Sequence, residues 1–245
     1  MTDTNFKEYK VWGVPGRAFH WINFLSILCL IFFGMLMLYK KELGITSIEA
    51  KIGLKEVHVI IGYVFAINLL LRIVWGFVGD KYARWRYILP DAGFIKTIRD
   101  YRRSIANGEQ PQYLGHNPMG RLALTFIFLL LTILMVSGLI RAGTDIYYPP
   151  FGSYVAEYVA AADANPEELI PYNPAGTNAD KVKQLKTFKK PFGVVHLYAA
   201  YTLMFMIVLH IFFVIRTEVK EGGGLITAMF TGKKVLKSKP VDLDE

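Results

Sequence analysis

Two histidines stand in an uncharged, largely apolar run, "VVHLYAAYTLMFMIVLH", at residues 194–210. A ring nitrogen is costly inside hydrocarbon unless something binds it. His196 and His210 are 14 residues apart. At ~100° and ~1.5 Å per residue, this spacing puts both on one face of a helix, ~21 Å apart along its axis. One imidazole is therefore expected near each side of a membrane, where it could ligate a metal centre.

Four of the five histidines lie in or at the ends of long apolar runs. A single histidine of this kind is often only a hydrogen-bonded packing residue, but four with a shared geometry indicate ligands. At ~1.5 Å per residue, each run crosses a ~30 Å hydrocarbon core, or nearly so. The sequence therefore predicts an all-α integral membrane four-helix bundle, one domain over residues 1–245. The runs cover about residues 20–39, 58–79, 122–140 and 191–215.

The basic residues outside these runs predict the orientation of the chain. Sixteen Lys and Arg fall on one side of the predicted membrane and ten on the other. The positive-inside tendency places the richer side, with both termini, in the cytoplasm. Residues 141–190 then form a long periplasmic loop, and residues 216–245 form a cytoplasmic tail. This topology also accounts for the net charge of +8, so no nucleic-acid partner is predicted.

Membrane depth pairs the histidines. His20 lies at the start of the first run, on the cytoplasmic side, and is at the same depth as His210. His58 lies at the start of the second run, on the periplasmic side, and is at the same depth as His196. Zinc or copper would usually recruit Cys, Asp or Glu as well, and the runs offer only Cys29. A single cysteine also excludes an intrachain disulfide and a C-x-x-C-H haem site. A planar macrocycle needs only two axial imidazoles, so two b haems are predicted.

Three further residues fit such cofactors. Gly34 lies 14 residues after His20, where a missing side chain gives a macrocycle room, although close helix packing is the alternative. Arg72 lies 14 residues after His58 and could bind a haem propionate, unless it reaches back to the cytoplasmic surface. Arg17 could serve a second propionate, although topology alone also explains its charge.

Several stretches of the chain form a recognisable pattern. They are "RAFHW" at 17–21, "HVIIGYVFAINLLLRIVWG" at 58–76, "YLGHNPMGR" at 113–121 and "IRTEVKEGGGLITAMFTGKK" at 215–234. With the paired histidines of the last run, they resemble the di-haem cytochrome b subunit of membrane-bound nickel–iron hydrogenases. Relatives of that family are the formate dehydrogenase gamma subunit and bacterial cytochrome b561. The similarity covers all four runs and most of the chain.

The resemblance implies a protein of the bacterial cytoplasmic membrane that passes electrons between a periplasmic redox subunit and the quinone or menaquinone pool. It implies the same haem pairs, with His58 and His196 on the periplasmic side and His20 and His210 on the cytoplasmic side. The family's quinone site lies near the start of the third run.

Two residues ahead of that run match the quinone site. Asn117 matches an asparagine that contacts quinone in the formate dehydrogenase relatives. His116 could relay a proton, because an imidazole titrates near neutral pH. The alternative is a plain helix-entry turn in which Pro118 sets the backbone.

The 141–190 loop is rich in Tyr, Pro and Asn and differs from the shorter loop expected of hydrogenase subunits. The periplasmic partner is then a hydrogenase, a multihaem c-type cytochrome or another reductase, or else the loop is a surface insertion. We expect an electron-transfer subunit among membrane lipids, with no catalytic residue of its own. One alternative is a stand-alone superoxide:quinone oxidoreductase of the cytochrome b561 type, and another is a haem-free transporter or anchor.

Overall fold

A computed structural model describes residues 6–221 and 224–243. Four of its helices are long and apolar enough to cross a membrane. Large apolar side chains on them point away from the protein, and Phe77 on the second is 70% exposed. Such surfaces need lipid around them. The predicted all-α class and the four spans are confirmed. The helices are α1 (Val14–Leu38), α2 (Ile48–Val78), α5 (Pro118–Ile146) and α7 (Ala179–Glu221).

Each of these helices is longer than, or offset from, the apolar run that predicted it. The largest difference is in α7, which begins at Ala179 instead of 191 and contains Pro191. Hydropathy marks only the lipid-facing part of a helix, whereas the i→i−4 hydrogen bonds continue into polar sequence. The predicted loop 141–190 is therefore partly helical, since α5 ends only at Ile146.

Shorter elements occupy the connections. Between α5 and α7 the backbone of Ala161 donates to the carbonyl of Gly176, next to an isolated bridge between Ala160 and Thr177. Residues 161–176 thus form an excursion whose two ends meet. The remaining elements are the 3-10 turns Lys81–Ala83 and Pro166–Glu168, α3 (Trp85–Ile88), α4 (Phe94–Ala106), α6 (Gly152–Val159), α8 (Leu225–Thr231), β1 (Lys7–Lys10) and β2 (Lys233–Leu236).

The chain divides into two compact units. The first contains the described residues up to Ile22, then Leu69–Leu129, then those from Leu203 onward. The second contains Asn23–Asn68 and Leu130–Thr202. The first unit includes the predicted pair of His20 and His210, and the second includes that of His58 and His196.

The described part of the predicted cytoplasmic tail belongs to the first unit. Its strand β2 pairs antiparallel with β1, with Tyr9 opposite Lys234. The two strands support a small core of buried apolar side chains. This core contains Val11, Tyr82, Leu114 and Leu236, with Tyr9, Trp12 and Leu243 packed against it.

Candidate functional site

His58 of α2 and His196 of α7 face each other in the second unit. Their ring centres are 6.4 Å apart, and the ring planes are inclined by 69°. With metal–nitrogen bonds of about 2 Å on each side, a metal ion between two imidazoles holds their ring centres roughly 6 Å apart. The observed separation therefore fits one metal atom between the rings.

Glycines stand beside both imidazoles. A Cβ atom at Gly138 would lie 3.3 Å from His196 Cε1, and one at Gly34 would lie 3.7 Å from His58 Cε1. A larger side chain at either position would press on a ring. Gly34 thus lies beside His58, and Gly138, beside His196, was not predicted because a glycine within an apolar run equally serves helix packing.

A serine orients the second imidazole. Ser137 Oγ lies 3.0 Å from His196 Nδ1 and donates to the carbonyl of Ile133 at 2.6 Å. Because the hydroxyl hydrogen is committed to that carbonyl, Nδ1–H is the donor in the contact with Ser137. The lone pair of Nε2 is then free to bind a metal.

Asp145, near the end of α5, is surrounded by three basic side chains. Lys55 Nζ lies 2.7 Å from its carboxylate, Lys189 Nζ 2.8 Å and Arg141 Nη2 2.9 Å. All four side chains are at least half-buried. One carboxylate offsets only one of the three positive charges, so the cluster has a surplus of positive charge.

The cluster lies close to the histidine pair along the chain. Lys55 is one helical turn before His58, and Lys189 is two turns before His196. A Cβ atom at Gly193 would lie 3.8 Å from the Arg141 guanidinium. Three helices contribute to this cluster, so no single stretch of sequence predicts it; the one-turn and two-turn spacings of the two lysines from the histidines are the only local signal.

The first unit contains His20 on α1 and His210 on α7. Within the described part of the chain, the buried Nδ1 of His20 has no hydrogen-bond partner. Arg17 donates through Nη1 to the carbonyl of Phe230. Its Nε is buried and finds no acceptor among the described residues. The described residues therefore use only part of the hydrogen-bonding capacity of Arg17.

Arg72 is buried, with 7% of its surface exposed. Its guanidinium lies 5.0 Å from the Trp85 ring centre and 5.3 Å from that of Phe128. Nη2 donates to the carbonyl of Ala83 at 2.9 Å, whereas the buried Nη1 has no acceptor in residues 6–221 or 224–243. The guanidinium is therefore held inside the protein, with one nitrogen that the described residues leave unsatisfied. An anion at Nη1 would satisfy it.

Asn117 caps the start of α5. Its side-chain oxygen accepts from the backbone of Gly120 at 2.7 Å, and Pro118 is the first residue of the helix. Its amide nitrogen donates to the hydroxyl of Tyr101 at 3.1 Å. The turn is thus a helix entry, and among the described residues only Tyr101 accepts from the Asn117 amide, so its second hydrogen is available to a ligand.

His116 packs against the Trp12 ring, with ring centres 5.0 Å apart. Burial, and next the charge of Lys234, lowers the pKa of His116 to about 3. Further contributions come from Arg72, His210 and Arg121. His116 is therefore neutral at physiological pH, which corrects the expectation that it titrates near neutrality.

Within the described residues, no group of three or more His, Cys, Asp and Glu side chains could hold a metal ion. The structure does show a pair of facing imidazoles, those of His58 and His196. Such pairs fit a cofactor that supplies its own equatorial ligands, and haem b is one.

Four apolar spans and a facing imidazole pair are typical of a membrane-bound b-type cytochrome. The chain belongs to the prokaryotic cytochrome b561 family, which its residues 11–232 match. It is consequently a multi-pass protein of the bacterial inner membrane with an electron-transfer role. No solved structure matches the chain.

Several relatives are named probable Ni/Fe-hydrogenase B-type cytochrome subunits. That of Rhodobacter capsulatus is 24% identical over 95% of this chain and 83% of its own length. That of Rhizobium leguminosarum bv. viciae is 24% identical over 94% and 90%. The match with the Cupriavidus necator protein is 29% identical but spans 54% of this chain and 57% of that relative.

Proposed function

We propose that this chain binds two b haems and passes electrons between a periplasmic redox partner and membrane quinone. The observation that carries the proposal is the facing pair of His58 and His196, with ring centres 6.4 Å apart. The second haem would lie between His20 and His210 in the first unit. When bound, haem supplies reversible one-electron chemistry.

The protein's own residues would hold and tune these cofactors. Ser137 fixes the tautomer of His196, and the glycines beside the rings leave space for a macrocycle. The unsatisfied Nη1 of Arg72 would bind a propionate in the first unit. In the second unit, the surplus positive charge of Lys55, Arg141 and Lys189 would attract propionates.

The quinone would bind at the start of α5. Asn117 has one amide hydrogen left for a carbonyl oxygen. His116, being neutral, would act as a hydrogen-bonding group and not as a stored proton. Protons for quinone reduction would then come from water at that surface, which would face the cytoplasm; the larger number of Lys and Arg on that side supports this orientation.

The names of the relatives support a nickel–iron hydrogenase as the periplasmic partner. The unusual segment between α5 and α7 keeps a multihaem c-type cytochrome or another reductase as the second candidate. In either case the partner would dock on the periplasmic side, close to the pair of His58 and His196.

The experiment is purification of the tagged chain from its native membranes in mild detergent. We expect b-type absorption bands and a co-purifying periplasmic redox subunit, whose substrate reduces the haems and whose electrons reach added quinone. A chain that purifies alone and is reduced by superoxide would instead be a stand-alone oxidoreductase. A preparation without b-type bands would contradict the proposal outright.

A further inference from the structure

The C-terminal segment, residues 233–243, lies against the loop of residues 112–115, immediately ahead of His116 and Asn117. These two stretches are more than 100 residues apart in sequence and belong to the same compact unit. The loop lies outside the regular helices and strands, so its buried backbone groups need partners from elsewhere.

Two side chains of the C-terminal segment supply those partners. The Asp242 carboxylate accepts from the backbone N–H groups of Leu114 and Gly115, each at 2.7 Å. The Lys234 ammonium donates to the carbonyls of Tyr113, Leu114 and Gly115 at 3.2, 2.7 and 3.0 Å. A carboxylate thus binds the donors of this loop and an ammonium binds its acceptors, and such charge-assisted bonds are stronger than neutral ones.

Both side chains are buried, Lys234 being 3% exposed and Asp242 8%. A buried lysine or aspartate is expensive unless it is fully bonded, so their positions are tightly specified. Gly115 permits the approach, because a Cβ atom there would lie 3.2 Å from Asp242 Oδ2 and 2.8 Å from Tyr82 Cδ1.

Further contacts hold the C-terminal segment itself in place. Gln112 Oε1 accepts from the backbone of Lys237 and Ser238, both at 3.0 Å. The Gln112 carbonyl accepts from Val241 N at 2.9 Å. The Tyr82 hydroxyl donates to the Asp242 carbonyl at 3.2 Å. The segment is therefore also attached between Lys234 and Asp242, and at the backbone of Asp242 itself.

The C-terminal segment is also connected to His116 through a shared neighbour. Lys234 Nζ lies 5.7 Å from the ring centre of Trp12, and Trp12 packs on His116. His116 also follows Gly115 directly in the chain. A displaced C-terminal segment would therefore move both the backbone and the ring neighbour of His116.

We propose that Lys234 and Asp242 are positioning residues of the quinone site. They hold the 112–115 loop so that His116 and Asn117 line one binding space, and they touch no substrate themselves. The inference rests on the proposed quinone site at the start of α5.

The test uses the full-length protein in proteoliposomes, reduced with dithionite and mixed with a short-chain menaquinone or ubiquinone analogue. The rate of haem reoxidation against quinone concentration gives a half-saturating concentration and a limiting rate. Lys234→Met and Asp242→Asn should each raise the half-saturating concentration about tenfold or more, since each removes hydrogen bonds to a charged group. The two substitutions change the net charge in opposite directions. If both weaken quinone binding, the cause is therefore the position of the loop and not the electric field.

Lys233→Met is the matched control, because Lys233 is the exposed neighbour on β2 and pairs with Glu8 at the surface. It should leave the half-saturating concentration unchanged. If His116→Gln weakens quinone binding while the Lys234 and Asp242 variants do not, the inference is overturned. Loss of haem from those two variants would overturn it too, because the segment would then support the whole fold. If even His116→Gln has no effect, it is the proposed quinone site that fails.

Discussion

Asp145 accepts contacts from three basic side chains, more positive charge than one carboxylate can neutralise. Its own negative charge would therefore oppose haem reduction at the site of His58 and His196, while Lys55 and Arg141 would favour it. A reduced haem carries one positive charge fewer than an oxidised one. The midpoint potential of a haem at this site therefore depends on the sum of the Asp145, Lys55 and Arg141 charges.

Asp145→Asn should raise the midpoint potential of the haem at His58 and His196 by an amount on the order of tens of millivolts. The other haem should change much less. Asp163→Asn is the control, since Asp163 is an exposed carboxylate in the segment between α5 and α7. Redox titration of the visible spectrum measures both haems, and an unchanged or lowered potential would contradict the assigned role of Asp145.

His116 gives a prediction about stability and pH. Its pKa is about 3 in the folded protein against about 6.5 in an unfolded chain. Below pH 6.5 the unfolded state takes up a proton that the folded state does not, so stability falls as pH falls toward 3.

The loss attributable to His116 is at most about 2 kcal/mol at pH 5. The Tm of the detergent-solubilised protein should therefore fall between pH 7.5 and pH 5, and in His116→Gln it should fall less. Equal decreases in both proteins would show that His116 is not a buried neutral imidazole.

At the scale of elements, the sequence predicts those features of the fold that depend on hydropathy and on the helical period. The four spans and the facing histidines follow from apolar runs and a 14-residue spacing. Helix ends do not follow, because the backbone of α7 continues through Pro191 and polar sequence to Ala179. Contacts between distant segments, such as Asp242 with Leu114, carry no local signal at all.

The excursion of residues 161–176 makes a clean deletion possible. Its ends are joined by the hydrogen bond from Ala161 to Gly176, so a two-residue Asn-Gly turn can replace it without cutting α6 or α7. We expect both haem spectra to survive while electron exchange with the periplasmic partner slows strongly, as measured by stopped-flow mixing. A deletion variant that exchanges electrons at the wild-type rate would place docking elsewhere, such as on residues 40–57.

At the scale of the whole molecule, the two compact units divide the functional residues between them. One unit contains His20 and His210 with Arg72, and the other contains His58 and His196 with their own basic cluster. Because each unit carries its own imidazoles and its own positive charge, damage to one pair should leave the other pair able to bind its cofactor.

The haem content of the four single His→Ala variants tests this division most directly, by pyridine haemochrome assay and redox titration of each purified protein. The wild type should hold two non-covalent, low-spin b haems per chain. His58→Ala and His196→Ala should each lose the same haem, and His20→Ala and His210→Ala should each lose the other. One haem in the wild type, or equal loss of both haems in all four variants, would contradict the two-site arrangement.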